Sequence, residues 1–150
     1  MSTAEQTNRV LFVCRHNAVR SQIAEALLRH RVAGSVFVTS AGVEPEPVPH
    51  EIRGWVEQLN GGDTEVRSKA LSEVSDKHFD TIITLCDKSH AALAEHPEDS
   101  RHIRWDFHHP DDPSSLKHLE IELAERIDLL VQVNRWDRAS TSRPGRAATA

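Results

Sequence analysis

The feature that most constrains this chain is its opening unit. An apolar, β-branched run over residues 9–13 leads through Cys14 into a short irregular segment ending at Arg20, and helical spacing resumes at Ile23, Ala24, Leu27 and Leu28. Strand, loop and helix thus follow one another without a hairpin turn, so the next strand is expected to return parallel to the first by way of the helix. The pattern then recurs. Residues 35–39 read as a strand ending in Ser40, Ala41 and Gly42, where Gly42 would allow a sharp turn. An extended loop follows through Pro45, Pro47 and Pro49, then a helix from about His50 to Leu59, stopped by Asn60, Gly61 and Gly62.

A third apolar run, residues 79–85, ends at Cys86, and a short helix is expected over residues 89–93. Residues 101–107 supply a fourth strand, and the prolines of the 108–113 loop forbid regular pairing there. Ser114 or Ser115 can cap the last helix, whose apolar face carries Leu116, Leu119, Leu123, Ile127 and Leu130 as far as Trp136. Strands alternating with helices predict an α/β fold: a single three-layer domain with a four-stranded parallel sheet flanked by helices on both faces. The domain is expected over residues 9–136, between a flexible N-terminus at 1–8 and a flexible C-terminal tail at 137–150. Ligands in such sheets bind at the carboxyl ends of the strands, the edge from which Cys14 and Cys86 project.

Composition narrows the chemistry. At 150 residues and a formal charge of −5, the chain has no global attraction to nucleic acid or anionic lipid, so any anion site must be built locally. No apolar run approaches the roughly 20 residues that span a bilayer, and the polar opening lacks the layout of a secretory signal. A cytoplasmic location with no membrane partner is expected. Two cysteines are too few for a disulfide scaffold, and each needs its own explanation.

The loop Cys14, Arg15, His16, Asn17, Ala18, Val19, Arg20, Ser21 joins the first strand to the first helix, where backbone N–H groups can converge on a tetrahedral anion. The helix N-terminus and the fixed charge of Arg20 would favour a nucleophilic thiolate at Cys14. Arg20 can donate two parallel hydrogen bonds to equatorial oxygens of the anion, which Lys cannot do in the same way. Ser21 can donate to the thiolate. Asn17 suits a left-handed turn and can tie the loop to its neighbours. The plain alternative is a buried cysteine closing a strand beside an exposed arginine. No Gly-Lys-Ser/Thr nucleotide loop is present.

The stretch from Val10 to Leu28 resembles the opening of the low-molecular-weight protein tyrosine phosphatase superfamily, which includes thiol-dependent arsenate reductases. The resemblance extends through residues 39–42, Arg67, Ser68 and Lys69, residues 79–87 and the Trp105 region. It implies Cys14 as nucleophile, Arg20 as oxyanion clamp, and Arg15, His16, Asn17, Ala18, Val19 and Ser21 as substrate-binding positions. Several details resemble the reductase branch: Gln22 stands where phosphatases often carry Pro, residues 85–87 resemble a segment bearing a second redox cysteine, and tyrosine is absent. Leu93 occupies the position of a third cysteine in thioredoxin-coupled members, so an internal three-cysteine relay is impossible. The resemblance therefore implies arsenate reduction with Cys86 or an external low-molecular-weight thiol or redoxin resolving the adduct, and no cofactor besides that reductant. Phosphate monoester hydrolysis through a cysteinyl-phosphate is the second reading. A non-catalytic anion-binding regulatory domain is the third.

In this family the general acid is an Asp before Pro after the fourth strand. Counting back from the last helix gives Asp112, the favoured assignment. Counting forward from Trp105 gives His109, and Asp111 is adjacent. Asp111 and Asp112 can instead cap the last helix. Of the ten histidines, His102, His108 and His109 with Cys86 are imaginable ligands, but no zinc-type spacing is present and no metal site is expected. Trp55, Trp105 and Trp136 read as core.

Overall fold

The computed structural model of the chain describes residues 8–32, 36–62 and 65–136. The expected flexible termini lie outside these residues, except Asn8, which is the first residue of a strand. The elements are β1 (Asn8–Cys14), α1 (Arg20–Arg31), β2 (Val36–Gly42), α2 (His50–Asn60), α3 (Leu71–Val74), β3 (Thr81–Thr84), α4 (Asp87–Ala92), β4 (Arg101–Arg104) and α5 (Pro113–Asn134). The four strands form one parallel sheet in the order β2-β1-β3-β4.

Alternation along β1 explains the layers, because successive side chains of a strand face opposite ways. Val10, Phe12 and Cys14 face a core shared with α1, α2 and α5, whereas Leu11 and Val13 face a smaller one closed by Val74 of α3, Phe79, Ile82 and Leu93. Helices thus cover both faces. Fully buried residues such as Phe12, Ile23, Leu28, Leu123 and Ile127 each contribute on the order of 1.5–3 kcal/mol of burial free energy. Trp105 and Trp136 are buried and Trp55 packs against the same core.

The strand order places a topological switch between β1 and β3, since the chain leaves β1 toward one side for β2 and returns on the other for β3. The segments that follow these two strands carry Cys14 and Cys86. Pairing outruns the regular strands: Leu85 N donates to Val13 O, Trp105 N to Thr84 O and Phe107 N to Leu85 O. The 101–107 run is therefore extended as its pattern predicts, although only its first half forms a regular ladder.

Two local expectations are corrected. Gly42 makes no sharp turn; it lies in β2 opposite Cys14, and a Cβ there would come within 2.8 Å of Asn17 N. Its role is close approach. The cap of α5 is Asp112, whose Oδ1 accepts from Ser115 N, while Ser115 Oγ accepts from Asp112 N and Pro113 fills the first turn. Further along, α2 ends at Gly61, whose φ of 99° suits a residue without a side chain. Helix α3, too short to show a period, is an element the sequence pattern does not announce.

Candidate active site

The segment after Cys14 bends around the sulfur. The carbonyls of Cys14, Arg15 and His16 accept from the N–H groups of Val43, Glu44 and Glu46, which run alongside as an extension of β2. In a trans peptide the C=O and the following N–H point in opposite directions, so carbonyls held outward turn the N–H groups of Arg15, His16 and Asn17 inward. Asn17 N lies 3.3 Å from Cys14 Sγ, as this requires.

Asn17 holds the turn with φ of 52°, a left-handed conformation that Asn tolerates. Its side chain is fully buried and fully used: Nδ2 donates to Ser21 Oγ at 2.7 Å and to Ser40 Oγ at 2.8 Å, and Oδ1 accepts from Lys69 N at 2.8 Å. Ser40 Oγ donates onward to Glu25 Oε1 at 2.5 Å, and Glu25 pairs with Arg29. Ser21 Oγ sits 3.0 Å from Cys14 Sγ. A buried polar chain thus runs from the sulfur through Ser21, Asn17 and Ser40 to a carboxylate. Gln22 ties in a further segment, donating to the carbonyls of Asn17 and Arg67.

Arg20 opens α1 and is 7% exposed. Its Nη1 donates to Phe107 O at 2.8 Å, which anchors the guanidinium to the segment after β4. Its Nε is buried and has no acceptor among the described residues. A buried donor without a partner costs roughly 1–3 kcal/mol, so an anion oxygen at this point recovers that penalty.

The remaining predicted residues divide. Ala18 and Val19 are buried on the core side. Arg15 and His16 place their side chains on the β2 extension: Arg15 Nε binds Glu44 Oε1 at 3.0 Å and His16 Nδ1 contacts Glu44 O at 2.9 Å. Glu44 also meets Lys88 Nζ at 3.2 Å, and its carboxyl is held below the usual range first by the Arg15 hydrogen bond and then by Lys88. This surface trio links the loop, the β2 extension and α4.

Cys86 caps α4 and stands half-buried, its Sγ 3.5 Å from Ser89 Oγ. It shares a cleft of about 290 Å³ with Arg20, Lys88, Phe107 and His109. Both cysteines are free thiols.

Asp112, the favoured acid, is placed otherwise. Its carboxylate caps α5, and the hydrogen bonds from Ser115 hold it below the usual carboxylate range, so it carries charge rather than a proton at neutrality. His109 is the residue of this loop that senses the anion site: burial first, then Arg20, pushes its imidazole below the ordinary value. Asp111 N donates to Ser115 Oγ, which makes it part of the cap as well.

A group that sequence spacing misses lies on the rim of the cleft. Asp87, His90 and Asp106 present donor atoms within 4.8 Å of one another, contributed by α4 and by the segment after β4. His102 lies behind this group rather than in it, and Cys86, His108 and His109 are not part of it.

Comparison with known proteins agrees with the geometry. The family model described as low molecular weight phosphotyrosine protein phosphatase matches residues 9–134. An arsenate reductase of Bacillus cereus is 30% identical over 129 residues, 82% of this chain and 93% of that protein. Among solved structures, an arsenate reductase of Archaeoglobus fulgidus superposes with a TM-score of 0.64 at 31% identity, covering 82% of this chain and 98% of that one. A thioredoxin-dependent arsenate reductase of Corynebacterium glutamicum superposes with a TM-score of 0.68 at 28% identity over 88% of this chain, which spans 64% of that longer one. No helix among the described residues is long and apolar enough to cross a membrane.

Proposed function

The chain belongs to the low molecular weight phosphotyrosine protein phosphatase family, and from that premise we propose that it is an arsenate reductase that draws its electrons from an external thiol donor. In this reading the Cys14 thiolate attacks arsenic, a protonated oxygen leaves as water, and a Cys14–arsenic bond forms. Arg20 and the inward N–H groups of the loop hold the equatorial oxygens as charge redistributes. Ser21 steadies the sulfur through its 3.0 Å contact.

The Cys86 thiolate then attacks Cys14 Sγ. A sulfur–sulfur bond forms, the sulfur–arsenic bond breaks with its electron pair passing to arsenic, and arsenite departs. Two thiols are oxidised and arsenic falls from the +5 to the +3 state. An external thiol or redoxin restores both cysteines by exchange. The observation that supports this reading is that Cys86 opens onto the same cleft as Arg20 instead of being sealed in the core.

His109 serves as proton donor to the leaving oxygen. Burial and Arg20 lower its affinity for a proton, and a dianion seated at Arg20 offsets that field and draws the proton back.

Phosphate ester hydrolysis is the second reading, because the contact between Ser21 and Cys14 equally suits a cysteinyl-phosphate whose sulfur must leave. The deciding experiment measures arsenite release with a panel of thiol donors beside aryl phosphate hydrolysis, in wild type and Cys14→Ser. Thiol-dependent arsenite release that Cys14→Ser abolishes is the expected result. Rapid ester turnover with no arsenite overturns the reductase reading.

A further inference from the structure

Behind the cleft rim, His90, Thr84 and His102 form a relay. Thr84 Oγ1, on the fully buried Thr84 of β3, lies 2.6 Å from His90 Nδ1 and 2.8 Å from His102 Nε2. The outer nitrogen of His90, Nε2, lies 2.8 Å from Asp106 Oδ1, and an Asp87 oxygen completes the group. We infer that Asp87, His90 and Asp106 form a binding site for a divalent first-row transition ion such as Zn²⁺.

The donor chemistry fits that class. One imidazole nitrogen and two carboxylates suit a borderline ion, and three protein ligands leave room for water. Bonds of about 2.0–2.2 Å put neighbouring donor atoms roughly 3–3.5 Å apart. The three donors here lie within 4.8 Å of one another, so rotation of the exposed carboxylates closes the set. Lys88, adjacent to Asp87 in the chain, is turned away to Glu44 and does not neutralise the site.

The independent observation is the orientation of His90. A metal-ligating imidazole fixes its other nitrogen on a hydrogen-bonding partner, which sets tautomer and ring angle. Thr84 supplies that partner from its buried place at the carboxyl end of β3, and His102 holds the hydroxyl in turn.

The hydroxyl also allows the relay to reverse. Thr84 has one proton to give between two imidazoles. Without an ion, His90 Nε2–H donates to Asp106, so Thr84 donates to His90 Nδ1 and accepts from His102 Nε2–H. With an ion on Nε2, the His90 proton resides on Nδ1 and is donated to Thr84, which then donates to His102 Nε2. The His102 proton moves to Nδ1. Both imidazoles stay neutral, and the ion is reported as a tautomer change at His102.

The test is titration of the reduced protein with Co²⁺, followed by its electronic spectrum, with Zn²⁺ competition. Expected are d–d bands that Zn²⁺ displaces, affinity reduced about tenfold or more in His90→Gln and Asp106→Asn, and by about 10–100-fold in Thr84→Val, which removes only the outer partner. Asp106 is 80% exposed, so Asp106→Asn leaves the fold intact. Nitrogen-15 spectra should show His102 changing tautomer on Zn²⁺ addition. Affinity unchanged in both His90→Gln and Asp106→Asn overturns the site. A spectrum made up solely of thiolate-to-metal charge transfer overturns it as well, by assigning the ion to a cysteine. Neither result bears on arsenate reduction.

Discussion

Gly42, at the end of β2, packs against Asn17 in the loop that follows β1: a Cβ on residue 42 would lie 2.8 Å from Asn17 N and 2.9 Å from Asn17 Cβ. The neighbouring atoms are mostly backbone of the anion loop, which cannot move without moving the sulfur's surroundings. Gly42→Ala should therefore cost roughly 1–3 kcal/mol of stability from overpacking. It should lower kcat/KM by about 100-fold, the scale of a displacement near 1 Å. Thermal melts and steady-state kinetics on the same preparation check both.

Asn17→Ala removes the side chain that joins Ser21, Ser40 and Lys69. Buried hydroxyls stripped of a partner cost roughly 1–3 kcal/mol, and Ala is disfavoured at φ of 52°. Urea unfolding should show a lower midpoint with an unchanged slope, and activity should fall with it.

Arg20→Lys keeps the charge but loses the planar fork and the paired donation to an anion. With Arg20 Nη1 already committed to Phe107 O, Lys cannot both hold that carbonyl and clamp the anion. The expected loss in kcat is on the order of 100–1000-fold. Protection of Cys14 by phosphate against alkylation should disappear.

His102 supplies a pH signature. Burial first, then His96, Arg104 and His90, lowers its folded pKa below the ordinary 6.5. The unfolded chain then binds more protons than the folded one as pH falls below about 6.5, so stability declines there and recovers as pH rises. His102→Gln should flatten that decline in denaturation midpoints measured from pH 7 downward, and the contrast should vanish above pH 7.

Asp112 and His109 separate by role. Asp112→Ala removes the α5 cap, which accepts from Ser115 N, and lowers the melting temperature through a loss of about 1 kcal/mol, with the pH profile of activity retained. His109→Gln leaves the melting temperature near wild type and removes the limb of the profile that reports proton donation.

The sheet, its longer helices and the loop from Cys14 to Ser21 were legible because composition, period and spacing are local signals: β1 is a short unbroken apolar run, α2 and α5 carry stripes, and Cys14 precedes Arg20 at a fixed interval. What was not legible depends on distance through space. Gly42 reads as a turn until the loop folded against it at His16 and Asn17 is known. Asp112 and His109 both precede Pro, and only the Ser115 cap and the field of Arg20 distinguish them. The group of Asp87, His90 and Asp106 joins two segments and has no motif; a histidine three residues after an acid on a short helix was the one available hint.

The most direct measurement is a single turnover without added thiol. Reduced protein is mixed anaerobically with excess arsenate, and arsenite and remaining free thiols are counted. If electrons pass through Cys14 to arsenic, wild type yields about one arsenite per chain and loses both thiols, whereas Cys14→Ser yields none. Wild type that keeps both thiols and forms no arsenite, or Cys14→Ser that forms as much as wild type, contradicts the account.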